Sequence, residues 1–140
     1  MNKKSILAIE KIITYIKELE LITKGRNDNY FYDGFEMPIL CDLVDKIDRN
    51  INIISPKIKR KYNNVNWNII DSRKEIDNGI KILKLGKIWE LSNGLLNKEL
   101  YNNLNCILEI ELPVYYTKYC NKQHNKFLKK KANNYEICDK

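Results

Sequence analysis

The stretch Trp67-Asn68-Ile69-Ile70-Asp71-Ser72-Arg73-Lys74-Glu75-Ile76-Asp77-Asn78-Gly79-Ile80 decides whether the chain is helical throughout. Flanked by helical patterns on both sides, Trp67 to about Leu83 is expected to form the third helix of a bundle. Upstream, Ile6, Ile9, Ile12, Ile13, Ile16 and Leu19 recur at helical spacing. Lys11, Lys17 and Glu18 take other faces, which predicts a first amphipathic helix of about five turns. It ends before Lys24-Gly25-Arg26-Asn27-Asp28-Asn29, a loop by composition. Pro38 suits the first turn of a second helix, whose buried stripe is Leu40, Leu43, Val44, Ile47, Ile51 and Ile54. Ser55-Pro56 then marks a fresh helix start, with Ser as N-cap and Pro at the first position. A basic segment, Lys57-Ile58-Lys59-Arg60-Lys61-Tyr62, and an Asn-rich turn over 63–66 lead into the quoted stretch. Downstream Gly86 interrupts, and Ile88, Trp89, Leu91, Leu95, Leu96, Leu100, Leu104, Ile107 and Leu108 supply a fourth stripe reaching Pro113. No strand alternation with hairpin chemistry is expected. The reading is all-α: an antiparallel four-helix-type bundle over residues 1–113, with a short basic, aromatic C-terminal extension over residues 114–140.

At 140 residues the chain has a common single-domain size and buries a core without disulfides or metal. Hydrophobic residues make up 44% and charged residues 31%, the usage of a folded domain, which excludes disorder throughout. Formal net charge is +7, favouring polyanionic partners such as RNA or an acidic protein face. Of the 25 basic residues 21 are Lys and four are Arg: Arg26, Arg49, Arg60 and Arg73. The arginines are the more informative set, because a guanidinium fork grips phosphate with two bonds while surface lysine often only solubilises.

Cys41, Cys106, Cys120 and Cys138 are widely spaced and contain no C-x-x-C pair. The N-terminus lacks the continuous apolar core of a signal peptide, so a reduced, cytoplasmic protein is expected. Cys120 and His124 sit one helical turn apart and would begin a metal site with Cys138, but a fourth ligand is missing; neither metal nor cofactor is expected. No apolar stretch approaches bilayer-spanning length, which excludes an integral membrane protein of the helical kind. In the C-terminal segment Tyr115, Tyr116, Tyr119 and Phe127 interleave with Lys118, Lys122, Lys126 and Lys129-Lys130-Lys131. Rings that stack bases and ammonium groups that neutralise phosphates are what single-stranded nucleic acid binding uses. The plainer reading, and the expectation here, is that the tyrosines pack on the bundle and the lysines are solvated, in a short basic helix or a loosely ordered tail.

Several residues line up in order from Ile6 to Leu104: Ala8-Ile9-Glu10-Lys11-Ile12 with Tyr15, then Ser55 ahead of Tyr62 and Trp67, then the Arg73 segment with Trp89-Glu90. In that order the chain resembles the HepT-like family of the HEPN superfamily, small all-helical proteins that pair with a minimal nucleotidyltransferase in bacterial and archaeal toxin–antitoxin modules. The resemblance implies a homodimer whose motif helices meet at the seam between protomers. It also implies a metal-independent ribonuclease motif: an arginine, a histidine a little more than one helical turn later, and a tyrosine two residues beyond, to which the partner attaches nucleotide monophosphate. Carried onto this chain, Arg73 fits the arginine, Lys74 replaces its polar neighbour, Asn78 stands at the histidine position and Ile80 at the tyrosine position.

Metal-independent RNA cleavage needs a group to move the proton of a ribose 2′-hydroxyl or of the leaving oxygen, and a cation to stabilise the phosphoryl charge. Arg73 has the chemistry for the second task. Asn78 cannot do the first, since an amide does not titrate in the useful range, and losing such help removes about two to four orders of magnitude in rate. Ile80 offers no hydroxyl for modification. On a helix Glu75 and Asp77 lie about 200° apart and cannot form a carboxylate pair, while Arg73 and Asp77, four residues apart, suit an intrahelical ion pair. The expected function is therefore a catalytically impaired HepT-like component, acting through a nucleotidyltransferase partner and through nucleotide or RNA. Its candidate nucleic-acid contacts are Arg73, Lys74, Lys57, Lys59, Arg60 and Lys61. The alternatives are an active endoribonuclease with a non-histidine base and a non-catalytic RNA-binding helical protein. Trp67 and Trp89 read as core or interface anchors.

Overall fold

A computed structural model of the chain describes residues 2–27 and 36–138, with side chains described as far as Lys126. The Asp28-Asn29 end of the expected first loop lies outside the described residues, as do the side chains of Phe127, Lys129, Lys130, Lys131 and Cys138. The architecture is all-α apart from one small hairpin: α1 (Lys3–Thr23), α2 (Met37–Ile53), α3 (Pro56–Lys61), β1 (Glu75–Asp77), β2 (Ile80–Ile82), α4 (Leu85–Glu90) and α5 (Asn102–Cys138). The chain divides into two compact units, Met1–Leu108 and Glu109–Lys140.

Two helices of the first unit, α1 and α3, begin at a side-chain cap, and α2 begins with a proline. The Asn2 side chain accepts from the Ser5 backbone N–H at 2.8 Å. Pro38 sits in the first turn of α2, and the Ser55 hydroxyl accepts from the Ile58 N–H at 3.3 Å with Pro56 opening α3. At the far end of α1 the Thr23 hydroxyl donates to the Leu19 carbonyl, and Gly25 turns the chain away at φ 70°.

The apolar stripes meet as the spacing predicts. Ile9, Ile12 and Ile16 of α1 and Leu40 and Ile47 of α2 are at most 1% exposed. Each such side chain contributes about 1.5–3 kcal/mol of transfer free energy. Three tertiary contacts fix the helix directions. The Ser55 N–H at the end of α2 donates to the Ser5 hydroxyl near the start of α1, so these two helices run antiparallel. Asn97 donates to the Glu20 carboxylate, and one turn back along α1 the Lys17 ammonium lies 5.7 Å from the Tyr101 ring centre. The segment after residue 96 therefore also descends antiparallel to α1, burying Leu96, Leu100, Leu104 and Ile107.

Three features depart from the sequence reading. The expected third helix, Trp67 to Leu83, is absent. In its place are turns to Ile70, a single tight helical turn Asp71–Arg73, and the antiparallel hairpin of β1 and β2 with Asp77 paired to Ile80. The expectation of no hairpin chemistry is overturned by Asn78-Gly79, whose φ angles of 52° and 79° give the two consecutive left-handed residues of a type I′ turn. The fourth stripe, expected to be continuous, is broken at Asn93-Gly94, with Gly94 at φ 112°, while Gly86 lies inside α4. Wide helical turns at Leu91–Leu95 and Asn97–Tyr101 join α4 to α5. Pro113, expected to end the fourth stripe, sits inside α5. It forfeits one backbone bond, to the Glu109 carbonyl, yet no Gly or other Pro follows it, so nothing stops the helix before Cys138.

Truncating Leu40, fully buried at the seam with α1, is expected to lower the unfolding free energy by about 2–5 kcal/mol. Urea denaturation of Leu40→Ala followed by circular dichroism measures this against the unaltered chain.

Candidate functional site

Arg73 ends the tight turn after Ile70, where its guanidinium Nη1 donates to the Ile69 carbonyl at 2.8 Å. That bond fixes the side chain and leaves the rest of a five-donor fork uncommitted. Among the described residues no carboxylate pairs with it, so the expected ion pair with Asp77 does not form. Arg73 instead borders an open groove of about 590 Å³ with Trp89 and Glu90 of α4, Asn93 and Gly94 of the helix break, and Leu95 and Lys98 beyond it. Glu90 is 3.7 Å from the Lys87 ammonium, which screens its charge. The groove thus joins two cations, Arg73 and Lys98, to the half-buried indole of Trp89, which also packs against the core. Such a set suits a phosphate with an attached planar group.

Asn78 is not on a helix with Arg73. It occupies the exposed tip of the hairpin, where a carboxamide side chain and a following glycine are what the left-handed turn requires. The flanking Ile76 and Ile80 are 75% and 66% exposed. On a strand Glu75 and Asp77 fall on the same face, not 200° apart as a helix would put them. Glu75 is nevertheless committed: the Lys84 ammonium 2.7 Å away holds its carboxyl below the usual range, and Glu75 raises Lys84 in return.

Lys74 faces a second, smaller cavity of about 210 Å³ lined by Cys41, Val44, Asp45, Asp48, Ile70, Lys81, Leu83 and Ile88. Its ammonium donates to Asp48 Oδ2 at 2.7 Å and lies 3.6 Å from Asp71 Oδ1. The hydrogen bond to Asp48 lifts its pKa above that of an ordinary lysine, against an opposing effect of burial. Lys74 is thereby a strut between α2 and the turn that presents Arg73. Burial also pushes the Cys41 thiol up.

The basic segment is α3 itself. Lys57, Arg60 and Lys61 are exposed and share a face at spacings of three and four residues, with Lys61 5.4 Å above the Tyr62 ring. Lys59 is on another side, half-buried, its pKa pushed down by burial while Asp48 pulls it back up. Asp48 therefore serves both Lys59 and Lys74. Trp67 anchors locally, its indole N–H donating to the Tyr62 carbonyl at 3.0 Å. Among the described residues no group of three or more His, Cys, Asp and Glu side chains is placed to hold a metal ion, and no helix is long and apolar enough to cross a membrane. Lys98, Asn93 and Gly94 are site residues that the sequence reading did not single out. No family model, curated protein or solved structure matches the chain.

Removing the carboxylate of Asp48 leaves Lys74 without its strongest partner, and Asp48→Asn is expected to cost about 1.5–3 kcal/mol. Because folding raises the Lys74 pKa, the pair's stabilisation is complete below the unfolded value near about 10.4 and is lost as pH rises through the folded one. Urea midpoints of the two proteins should stay apart across about pH 7 to 9 and converge only at higher pH.

Proposed function

We propose that this chain acts by binding and not by chemistry: a HepT-like component of a toxin–antitoxin module that engages a nucleotidyltransferase partner and takes a nucleotide or an RNA phosphate at Arg73. The observation that carries this reading is the type I′ turn at Asn78-Gly79. A ribonuclease of the family's kind needs its arginine and its titrating group on one motif helix. Here the corresponding segment is a hairpin, and the residue at the histidine position meets the conformational demand of a turn. Arg73, by contrast, keeps free donors at a groove that also contains Lys98 and Trp89. Phosphate gripped by two cations, with a base or ribose against the indole, is the ligand class that such a groove favours. The smaller cavity does not compete for that role, since Lys74 and Lys81 are engaged by Asp48 and Asp71, and Asp45 by Arg49.

Co-purification with a minimal nucleotidyltransferase encoded beside the gene tests the partnership, and adenosine monophosphate binding by calorimetry tests the groove. The complex is expected to survive purification, and Arg73→Ala is expected to weaken nucleotide binding about tenfold or more. Neither the unaltered chain nor Asn78→His is expected to cut RNA. Cleavage by the unaltered chain that disappears in Arg73→Ala would overturn the reading.

A further inference from the structure

The second unit carries a charge pattern that the groove at Arg73 does not use. From residue 112 to residue 135 the chain contains no Asp or Glu, while Lys118, Lys122, Lys126 and Lys129-Lys130-Lys131 all fall within that span. The whole span is helical, within α5. At 100° per residue Tyr115, Lys118, Tyr119, Lys122 and Lys126 fall within about 100° of arc, so rings and ammonium groups form one stripe. The rings of Tyr115 and Tyr119 stack on each other, 6.3 Å apart at 16°, and Tyr119 is half exposed. Lys118, Lys122 and Lys126 are exposed, and among the described residues none forms an ion pair.

We infer that this stripe is a docking surface for a single-stranded polynucleotide, with the lysines against successive phosphates and the tyrosine pair as a stacking platform for bases. Charge complementarity identifies the occupant: Lys118, Lys122 and Lys126, without an ion pair among the described residues, match a polyanion, and the aromatic rings give the bases a partner that an acidic protein face would not use. A membrane surface fits poorly. The side opposite the stripe runs Pro113, Thr117, Cys120 and His124, a mixed surface that offers no broad apolar face to lipid. The surface shares no residue with the Arg73 groove, and the inference stands apart from the function proposed above.

Binding of fluorescent oligouridine by the full chain, measured by anisotropy at several salt concentrations, tests it, with oligothymidine, duplex RNA and anionic phosphatidylserine vesicles run in parallel. Both single strands are expected to bind, and to bind more tightly than the duplex. Replacing Lys118, Lys122 and Lys126 together by Gln should reduce the slope of log affinity against log salt by about 2. Tyr119→Ala should weaken binding about tenfold while Tyr119→Phe retains it, because stacking needs the ring and not the hydroxyl. Helicity by circular dichroism should be unchanged in all three variants. The triple Gln variant should keep its binding of adenosine monophosphate, so a failure at the stripe is distinguishable from a failure at the Arg73 groove. Unchanged affinity and salt slope in the triple variant, preference for duplex, or binding to vesicles alone would overturn the inference.

Discussion

Two antiparallel helices, α1 and α2, exclude water from each other along a seam of isoleucine and leucine, and the rest of the first unit is arranged on what that seam leaves uncovered. The Ser5 hydroxyl receives the Ser55 N–H at one end. At the other end the Arg26 guanidinium donates to the Glu36 carboxylate at 2.6 Å, while the Thr23 hydroxyl lies 3.4 Å from the Ser92 carbonyl of the returning chain. Directional bonds at both ends of an otherwise non-directional contact set the register of the pair and fix where the returning chain must cross. A packed seam alone tolerates sliding by a helical turn; a seam pinned at its ends does not.

The groove at Arg73 inherits its geometry from that arrangement through short, local devices. Asp48, on the outer side of α2, holds Lys74, and Lys74 is the residue next to Arg73. The Ile69 carbonyl then orients the guanidinium. On the facing side, the left-handed Gly94 ends one helical run and lets the next begin at a new angle, which brings Lys98 and Trp89 to the same opening. No single element supplies the site. It exists because a strut, a turn and a helix break converge.

Much of the core was legible in the sequence because helical burial leaves a periodic trace. Every residue assigned to the α1 and α2 stripes, from Ile6 to Ile54, is buried. The Ser55-Pro56 start was readable because capping is local chemistry. The hairpin was misread for the opposite reason: Ile76, Ile80, Ile82 and Leu83 fit a helical spacing about as well as a strand alternation, and only the Asn78-Gly79 pair distinguishes them. The chain contains Asn-Gly twice, at 78–79 and 93–94, and at both places it leaves a helical path. That dipeptide, and not the periodicity, marks both the hairpin and the helix break. Arg73 stood out from its rarity and chemistry. Lys98 did not, since nothing local to a lysine 25 positions away announces that the fold will return it to the same opening.

The smaller cavity gives the chain a built-in reporter. Cys41 forms part of its wall, half-buried beside Val44 and the Asp48–Lys74 strut, and its thiol resists ionisation because burial disfavours the thiolate. Cys106 and Cys120 stand in solvent. Since electrophiles and oxidants consume thiolates, Cys106 and Cys120 are taken before Cys41. The lag of Cys41 behind Cys106 and Cys120 in an alkylation time course would therefore report on the surroundings of the Asp48–Lys74 strut without any added label.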